Sequence, residues 1–289
     1  QMLNPSGGIE ADVTISCLKE DYFRIVCPAL ARVHNKSHIL RNTTQEINFK
    51  DVTDEYVSLG IFGPNSRKFL NNLVGNYFLK EDFSFATGKY LNFFDNKIWF
   101  QRLSFIGELG WELYIPIKNS KKIFKKIQNL GKKYNLCYSG MHTLDTLRLE
   151  KKFLHWGHDI TSENNPIEAG LKFAVSLKKK QDFIGRKSIE RIINEPIKKK
   201  LELFSLKDNN KPGMPLLLHD EPIFFKDKII GYSTSSNFSF YYKKNIFLAY
   251  VKADDYTIKR LTIEVEGKKY RLNHEEECLH DPKGLILRN

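Results

Sequence analysis

The sequence predicts an α+β protein whose last third is all-β, a small barrel or sandwich. Three observations carry this expectation. In roughly the first two-thirds, helical spacing of apolar residues alternates with strand-like runs. Past a break at 191–200, where Asn194-Glu195-Pro196 precedes a Lys run, short strand-like runs separated by turns take over. The 289 residues, 41% hydrophobic and 28% charged, are enough for more than one core. The boundary divides the chain into 1–195, an α+β region, and 196–289, the β module.

The elements follow in order. Gly7-Gly8 opens a hairpin over 8–27, in which Ile9 to Ser16 alternates, Lys19-Glu20-Asp21 turns and Tyr22 to Val26 returns. Pro28 suits the first turn of a helix over 28–41. Val57 to Phe62 reads as a strand leading into Gly63-Pro64-Asn65-Ser66, after which Phe69, Leu70 and Val74 recur at helical spacing. Tyr90 to Phe94, Ile98 to Ser104 and Trp111 to Ile115 read as strands. Asn119 or Ser120 is expected to cap a Lys-rich amphipathic helix to about Lys133. A further helix is expected from Ser139 to Lys151, and a short apolar strand at Phe173-Ala174-Val175. In the last third, Leu201 to Leu206, Ile229 to Ser233, Ile246 to Val251, Leu261 to Val265 and Tyr270 to Leu272 read as strands.

Composition narrows the function. The net charge is +12 and the pI about 9.3, which favours acidic partners. The Lys residues are scattered or in short runs, and no zinc-finger, KH or RRM signature interleaves them with stacking aromatics, so no nucleic-acid partner is expected. No apolar run approaches the roughly 20 residues of a bilayer span, and residues 1–25 lack the pattern of a signal peptide. The four cysteines, Cys17, Cys27, Cys137 and Cys278, have no CxxC spacing and read as reduced thiols of a cytoplasmic compartment. The first residue is Gln1 and strand-like sequence begins at once, which suggests an N-terminal truncation.

Three motifs could carry chemistry. In Asn4-Pro5-Ser6-Gly7-Gly8-Ile9-Glu10-Ala11-Asp12, paired glycines allow a tight turn or a close ligand approach. Asp12, just inside a strand, could accept a ligand N–H or act as a base if burial raises its pKa. The alternative is a solvated, turn-adjacent Asp. In Gly107-Glu108-Leu109-Gly110-Trp111-Glu112, a carboxylate could take paired N–H donors from an aminopyrimidine, as it does from an Arg fork. The alternative is a hairpin with a surface Glu. The third stretch, Leu147 to Gly185, ends a helix in Arg148 and Glu150 and continues as His155-Trp156-Gly157-His158-Asp159. Guanidinium, aromatic and carboxylate groups so close together suggest a site for a flat, polar, anionic ligand. His155, His158 and Asp159 invite a metal reading, but Gly157 interrupts the helical register that a His pair at i, i+3 needs; a hydrogen-bonded Trp-Gly turn is the expectation.

These motifs belong to an ordered set: MLNPSGGIEADVT, VTDEYVSLGIFGPNSRKFL, FIGELGWELYIP, LRLEKKFLHWGHDIT, PIEAGLKFAV, DFIGR, GYSTSSNFSFYYKKNIFLAYV and DPKGLILR. In this order, across nearly the whole chain, they resemble the folate-dependent aminomethyltransferase superfamily, which includes the glycine cleavage T-protein. The resemblance is closer to the C-terminal folate half of the dimethylglycine and sarcosine dehydrogenases. It implies a cloverleaf of antiparallel α/β (ferredoxin-like) subdomains, two of them interleaved within 1–195, plus a C-terminal small β-barrel over 196–289, around a tetrahydrofolate channel. It places Asp12 near the reactive pterin nitrogens, Glu112 on the pterin amino and ring N–H groups, Arg148 near the folate, and Trp156 where relatives put an aromatic. Phe105 stands where the T-protein has a Tyr, so a phenol is lost at a cofactor-binding position. No metal is implied. The implied activity is capture of an imine or formaldehyde equivalent, released by oxidation of an N-methyl amine, to give 5,10-methylenetetrahydrofolate.

The departures matter equally. No GxGxxG fingerprint is present, so FAD is expected only in a missing N-terminal half or a flavin dehydrogenase partner. Ala11-Asp12 replaces the T-protein's paired Asp, and Lys152-Phe153-Leu154 replaces the Lys-Gly-Cys of the iron–sulfur-assembly relatives. A lipoyl-dependent aminomethyltransferase, a non-catalytic folate-binding module and an S-methyl demethylase of the same fold remain alternatives.

Overall fold

The computed structural model describes residues 1–43, 46–208, 210–253 and 260–289. The elements run β1 (Met2–Leu3), β2 (Ile9–Ala11), β3 (Thr14–Lys19), β4 (Tyr22–Val26), α1 (Arg32–Asn42), β5 (Tyr56–Phe62), α2 (Ser66–Val74), β6 (Gly88–Phe93), β7 (Asn96–Gln101) and β8 (Gly110–Pro116). They continue with α3 (Ile117–Gly131), α4 (Met141–Glu150), α5 (Arg186–Asn194), β9 (Lys199–Leu206), β10 (Pro222–Phe225), β11 (Lys228–Ser239), β12 (Lys244–Lys252), β13 (Leu261–Val265), β14 (Lys268–Glu275) and α6 (Leu285–Arg288). Backbone contacts divide the chain into two compact units. One comprises Gln1–Cys17, Asp21–Gln45 and Asp145–Leu279; the other comprises Leu18–Glu20, Glu46–Leu144 and His280–Asn289.

The second unit is built on an antiparallel sheet in the order β5-β8-β7-β6. Alternation along β8 sends Trp111, Leu113 and Ile115 into a core with Phe69 and Leu70 of α2 and Ile123 and Ile127 of α3. The intervening Glu112 and Tyr114 therefore stand on the opposite face. Helix α3 starts at Ile117, directly after Pro116 closes β8, and not at Asn119 or Ser120 as expected. The Asn119 amide is occupied by the Asn96 side chain and the Ser120 hydroxyl donates to the Ile117 carbonyl, so neither caps the helix start.

In the first unit, strands β10-β11-β12-β9-β14-β13 close into a barrel. Its interior holds Phe204, Leu206, Ile223, Phe247, Ile263 and Leu272, all buried. Closure leaves no free strand edge. The α+β class with a small C-terminal barrel is as the sequence predicts. One barrel strand was not: β10 begins with Pro222, which weakens a strand reading, yet it pairs with both β11 and β13. The register between β11 and β12 slips between Ser233 and Ser235. This bulge re-aims Thr234 and Ser235.

Two further expectations are corrected. Phe173-Ala174-Val175 is no strand; Lys172–Ala174 is a 3-10 turn with Phe173 85% exposed. Three apolar residues after the left-handed turn at Gly170 form local i→i+3 bonds, Ala174 to Leu171 and Val175 to Lys172. Second, the run from Ile9 to Ser16 is interrupted. The Gly7-Gly8 turn joins β1 to β2, and Asp12 lies past the end of β2, not inside a strand. The hairpin proper is β3–β4.

The Gly7-Gly8 turn is organised by Asn4, whose Oδ1 accepts from the Ser6 N–H at 3.1 Å, the Ser6 hydroxyl at 2.7 Å and the Gly8 N–H at 2.8 Å. Its Nδ2 donates to the Ser162 carbonyl at 3.0 Å. A Cβ on Gly8 would lie 1.8 Å from that same carbonyl oxygen. Gly8→Ala is therefore expected to destabilise the fold by about 1–3 kcal/mol, the usual range for overpacking, read as a lowered denaturant midpoint.

Candidate functional site

The predicted site residues fall in both units. In the first unit, Asp12 follows β2 and is half-buried. Burial pushes its carboxyl above the ordinary aspartate value, opposed by the side-chain amide of Gln1. Its hydrogen bond comes from Gln1 Nε2 at 3.4 Å. Lone pairs that are partly desolvated and barely bonded are what a ligand-facing acid or base needs.

Trp156 is anchored from β2: its Nε1 donates to the Ile9 carbonyl at 2.9 Å. The His34 ring of α1 lies against the indole, with centroids 5.2 Å apart. His34 Nε2 in turn meets Glu10 Oε1 at 3.0 Å. Strand β2, which leads directly to Asp12, is thus clamped by Trp156 and by the Asn4 loop. The predicted Trp-Gly turn is present, with Gly157 at φ +95° and its N–H bonded to the Ile160 carbonyl.

Arg148 is buried, 3% exposed. Its Nε donates to Asp145 Oδ1 at 3.3 Å, its Nη1 to the Phe153 carbonyl at 3.1 Å and Asp159 Oδ2 at 2.5 Å, and its Nη2 to Ser235 Oγ at 2.6 Å. Asp159 is fully buried and also accepts from the His155 N–H at 2.9 Å and Thr234 Oγ1 at 2.6 Å. The β11 bulge therefore completes an Arg–Asp cluster that fastens the end of α4 and the Trp156 turn to the barrel. The rings of His155 and His158 lie 4.8 Å apart. Burial, with Arg148 and His158, lowers the His155 pKa and favours a neutral ring. Among the described residues, no group of three or more His, Cys, Asp or Glu could hold a metal ion.

In the second unit, Glu112 sits on β8 opposite Gly60 of β5 and Gln101 of β7. Burial raises its pKa, opposed by the Tyr114 hydroxyl, which donates to Oε2 at 2.7 Å. Gly60 offers no side chain beside it; a Cβ there would lie 2.3 Å from the Phe62 ring. Gln101 Oε1 accepts from Trp99 Nε1 at 3.0 Å. Trp99, Gln101, Glu112 and Tyr114 thus make a polar–aromatic surface on one sheet. Phe105 is half-buried in the β7–β8 loop, and Glu108 of that loop meets His280 Nε2 at 3.2 Å.

Sequence reasoning missed Asn4, His34, Tyr114 and Thr234. Two of these had a signal. Asn4 heads an Asn-Pro-x-Gly-Gly turn, where Asx chemistry is common. Tyr114 stands two residues from Glu112 and so shares its face. Thr234 could not be found, because its role depends on a bulge.

Comparison with known proteins agrees with this architecture. Residues 1–179 match the family model described as the GCVT N-terminal domain, and residues 199–281 match the glycine cleavage T-protein C-terminal barrel domain. The chain is 30% identical to mitochondrial dimethylglycine dehydrogenase of Mus musculus, over 93% of this chain and 31% of that protein. It thus spans about a third of the length of that relative. It is also 30% identical to an aminomethyltransferase of Halothermothrix orenii, over 92% of this chain and 73% of that protein. The crystal structure of glycine cleavage system aminomethyltransferase T from Bartonella henselae shares the fold, with a TM-score of 0.81 at 22% identity, covering 99% of this chain and 75% of that one.

Proposed function

We infer the function from one premise: the chain belongs to the glycine cleavage T-protein (aminomethyltransferase) family. On that premise it is a tetrahydrofolate-binding one-carbon transferase, with Glu112 as the pterin anchor and Asp12 as the acid–base group. The observation that most supports this is the state of Glu112. Glu112 is half-buried, burial raises its pKa, and among the described residues a single hydroxyl donates to it, while the Phe62 ring lies over the neighbouring Gly60. A desolvated carboxylate with spare lone pairs favours adjacent N–H donors, and a reduced pterin presents an amino group and a ring N–H side by side. Tetrahydrofolate, when bound, supplies the N5 and N10 nitrogens that receive the one-carbon unit.

The remaining work belongs to the chain's own groups. Glu112 orients through charge-assisted hydrogen bonds, and the Tyr114 hydroxyl fixes its rotamer. Asp12 holds or moves a proton. Trp156 and Asn4 keep β2 in place beneath it. Arg148 acts as a positioning residue, because its nitrogens already serve Asp145, Phe153, Asp159 and Ser235.

The finer reading is capture of a methylene unit from oxidative demethylation of dimethylglycine or sarcosine, with any flavin held outside residues 1–289. It rests on the dehydrogenase-like Ala11-Asp12 form and the identity to dimethylglycine dehydrogenase. A lipoyl-dependent aminomethyl transfer is the second reading, favoured by the larger share of the aminomethyltransferase relative that this chain spans. Product analysis separates them: ammonia release from an aminomethylated lipoyl protein supports the second.

Glu112→Gln keeps the shape but removes the charge. Isothermal calorimetry with tetrahydrofolate is expected to show about 10–100-fold weaker binding, the worth of one or two charge-assisted bonds. Wild-type affinity is expected to fall as pH drops through the raised Glu112 pKa, since the ionised form is the acceptor. Unchanged affinity in the variant would remove Glu112 from the site.

A further inference from the structure

A donor-rich cluster in the second unit has no part in the folate reading. The guanidinium of Arg67 on α2 and that of Arg102, just past β7, both lie over the Trp111 ring, at 5.3 Å and 5.7 Å from its centroid. Arg102 is 2% exposed. Neither arginine has a side-chain carboxylate within ion-pair distance among the described residues. Their acceptors are main-chain oxygens: Phe78 for Arg67, Phe83 for Arg102 at 2.6 Å, and Asn289 for both, at 2.5 Å from Arg67 Nη2. Lys80 Nζ adds a donor to Asn289 Oδ1 at 3.0 Å. Arg102 Nε and Trp111 Nε1 are buried with no partner among the described residues.

The chemistry is lopsided. Two guanidiniums and an ammonium meet at Asn289 beside the Trp111 ring, and Arg102 Nε and Trp111 Nε1 lack an acceptor among the described residues. Partly burying like charges whose hydrogen-bond acceptors are main-chain oxygens is costly, and the cost falls when an anion enters. Burial, then Arg67, lowers the Arg102 pKa, while burial lowers that of Arg67 and the charge of Glu81 opposes it. Planar guanidiniums match a carboxylate in geometry. The segment that reaches them is held in place locally. Asp281 accepts from the Leu285 N–H at 2.8 Å and the Ile286 N–H at 3.0 Å, and Arg288 N–H bonds the Gly284 carbonyl.

We propose that Arg67, Arg102 and Lys80 form a carboxylate-binding site, filled here by Asn289, whose main-chain oxygen accepts from both arginines and whose Oδ1 accepts from Lys80. The carboxylate has two possible sources, a chain terminus at residue 289 or a free small carboxylate. The test is thermal unfolding of the full chain and of a chain lacking residues 285–289, without folate, titrated with acetate against chloride at constant ionic strength. The shortened chain is expected to melt lower and to regain about 3 °C at tenfold acetate over its dissociation constant. Arg67→Gln and Lys80→Gln are expected to blunt that response, and being less buried than Arg102 they are the safer variants for folding. A third form, continued past Asn289 by a Gly-Ser stretch, identifies the source. If it melts like the shortened chain and responds to acetate, the terminus is the natural occupant. If it melts like the full chain and acetate stabilises both, the occupant is a free carboxylate. Absence of any acetate-specific stabilisation in the shortened chain, or an equal response in Arg67→Gln, overturns the proposal. Because no folate is present, either result leaves the one-carbon reading untouched.

Discussion

Arg148→Ala is expected to lower the unfolding free energy by about 3–5 kcal/mol, the cost of leaving a buried charge without its partner. The charge left behind is Asp159, which has no exposure to solvent. It would keep only the His155 N–H and the Thr234 hydroxyl as donors. Ser235 Oγ and the Phe153 carbonyl would lose their guanidinium donor at the same time. Urea unfolding without any ligand reads the effect directly; a loss below about 1 kcal/mol, the range of an exposed pair, would sink the account. Replacing both partners by apolar residues of similar size is expected to recover much of the loss, since a buried pair need not outperform good packing. A double-mutant cycle then isolates the coupling. The outcome bears on function as well. A ligand-contact arginine would affect binding first, whereas this one is expected to affect stability in the absence of ligand.

This cluster marks where legibility in the sequence stopped. The alternation of β8 put Glu112 on the face opposite Trp111 and Leu113, and that alternation can be read from the letters alone. Phe69 and Leu70 carried helical spacing, and they form part of the core. Arg148 and Trp156 were singled out by type, as unusual residues in one short stretch. Their partners were not visible, because those partners come from distant segments: Ser235 lies 87 residues from Arg148, and Ile9 lies 147 residues from Trp156. A bulge delivers Ser235 and Thr234, and no local pattern announces a register slip within a Ser-rich run. Two of the departures from the sequence reading, the missing strand at Phe173 and the unforeseen strand at Pro222, share a cause. Phe173 is apolar yet exposed, and Pro222 is a poor strand former yet paired on both sides. In each, tertiary context overrode local preference.

Asp12→Asn is expected to reduce one-carbon transfer by about 10²–10⁴-fold, the usual worth of a positioned acid–base group, while tetrahydrofolate binding stays within a few-fold. The sign of the pH effects makes the prediction specific. Burial raises the Asp12 pKa, so the folded protein favours the protonated form. As a base, Asp12 works when ionised, so wild-type activity is expected to rise as pH climbs through that raised value. The acid limb then sits above the ordinary aspartate range, and Asp12→Asn removes it. Stability runs the other way. A raised folded-state pKa stabilises the fold below the unfolded value, and that contribution is lost as pH rises through the folded one. Above that raised value wild-type Asp12 is a partly desolvated charge with one weak donor among the described residues, Gln1 at 3.4 Å. The neutral amide avoids that charge. Asp12→Asn is thus expected to be at least as stable as wild type at pH 7, with the difference vanishing in acid. A merely structural carboxylate would lose stability and activity together. Gain of one with loss of the other is the pattern of a group kept strained for chemistry, and kinetics alongside unfolding at two pH values tests it. Loss of stability in Asp12→Asn at pH 7 would return this residue to a structural role.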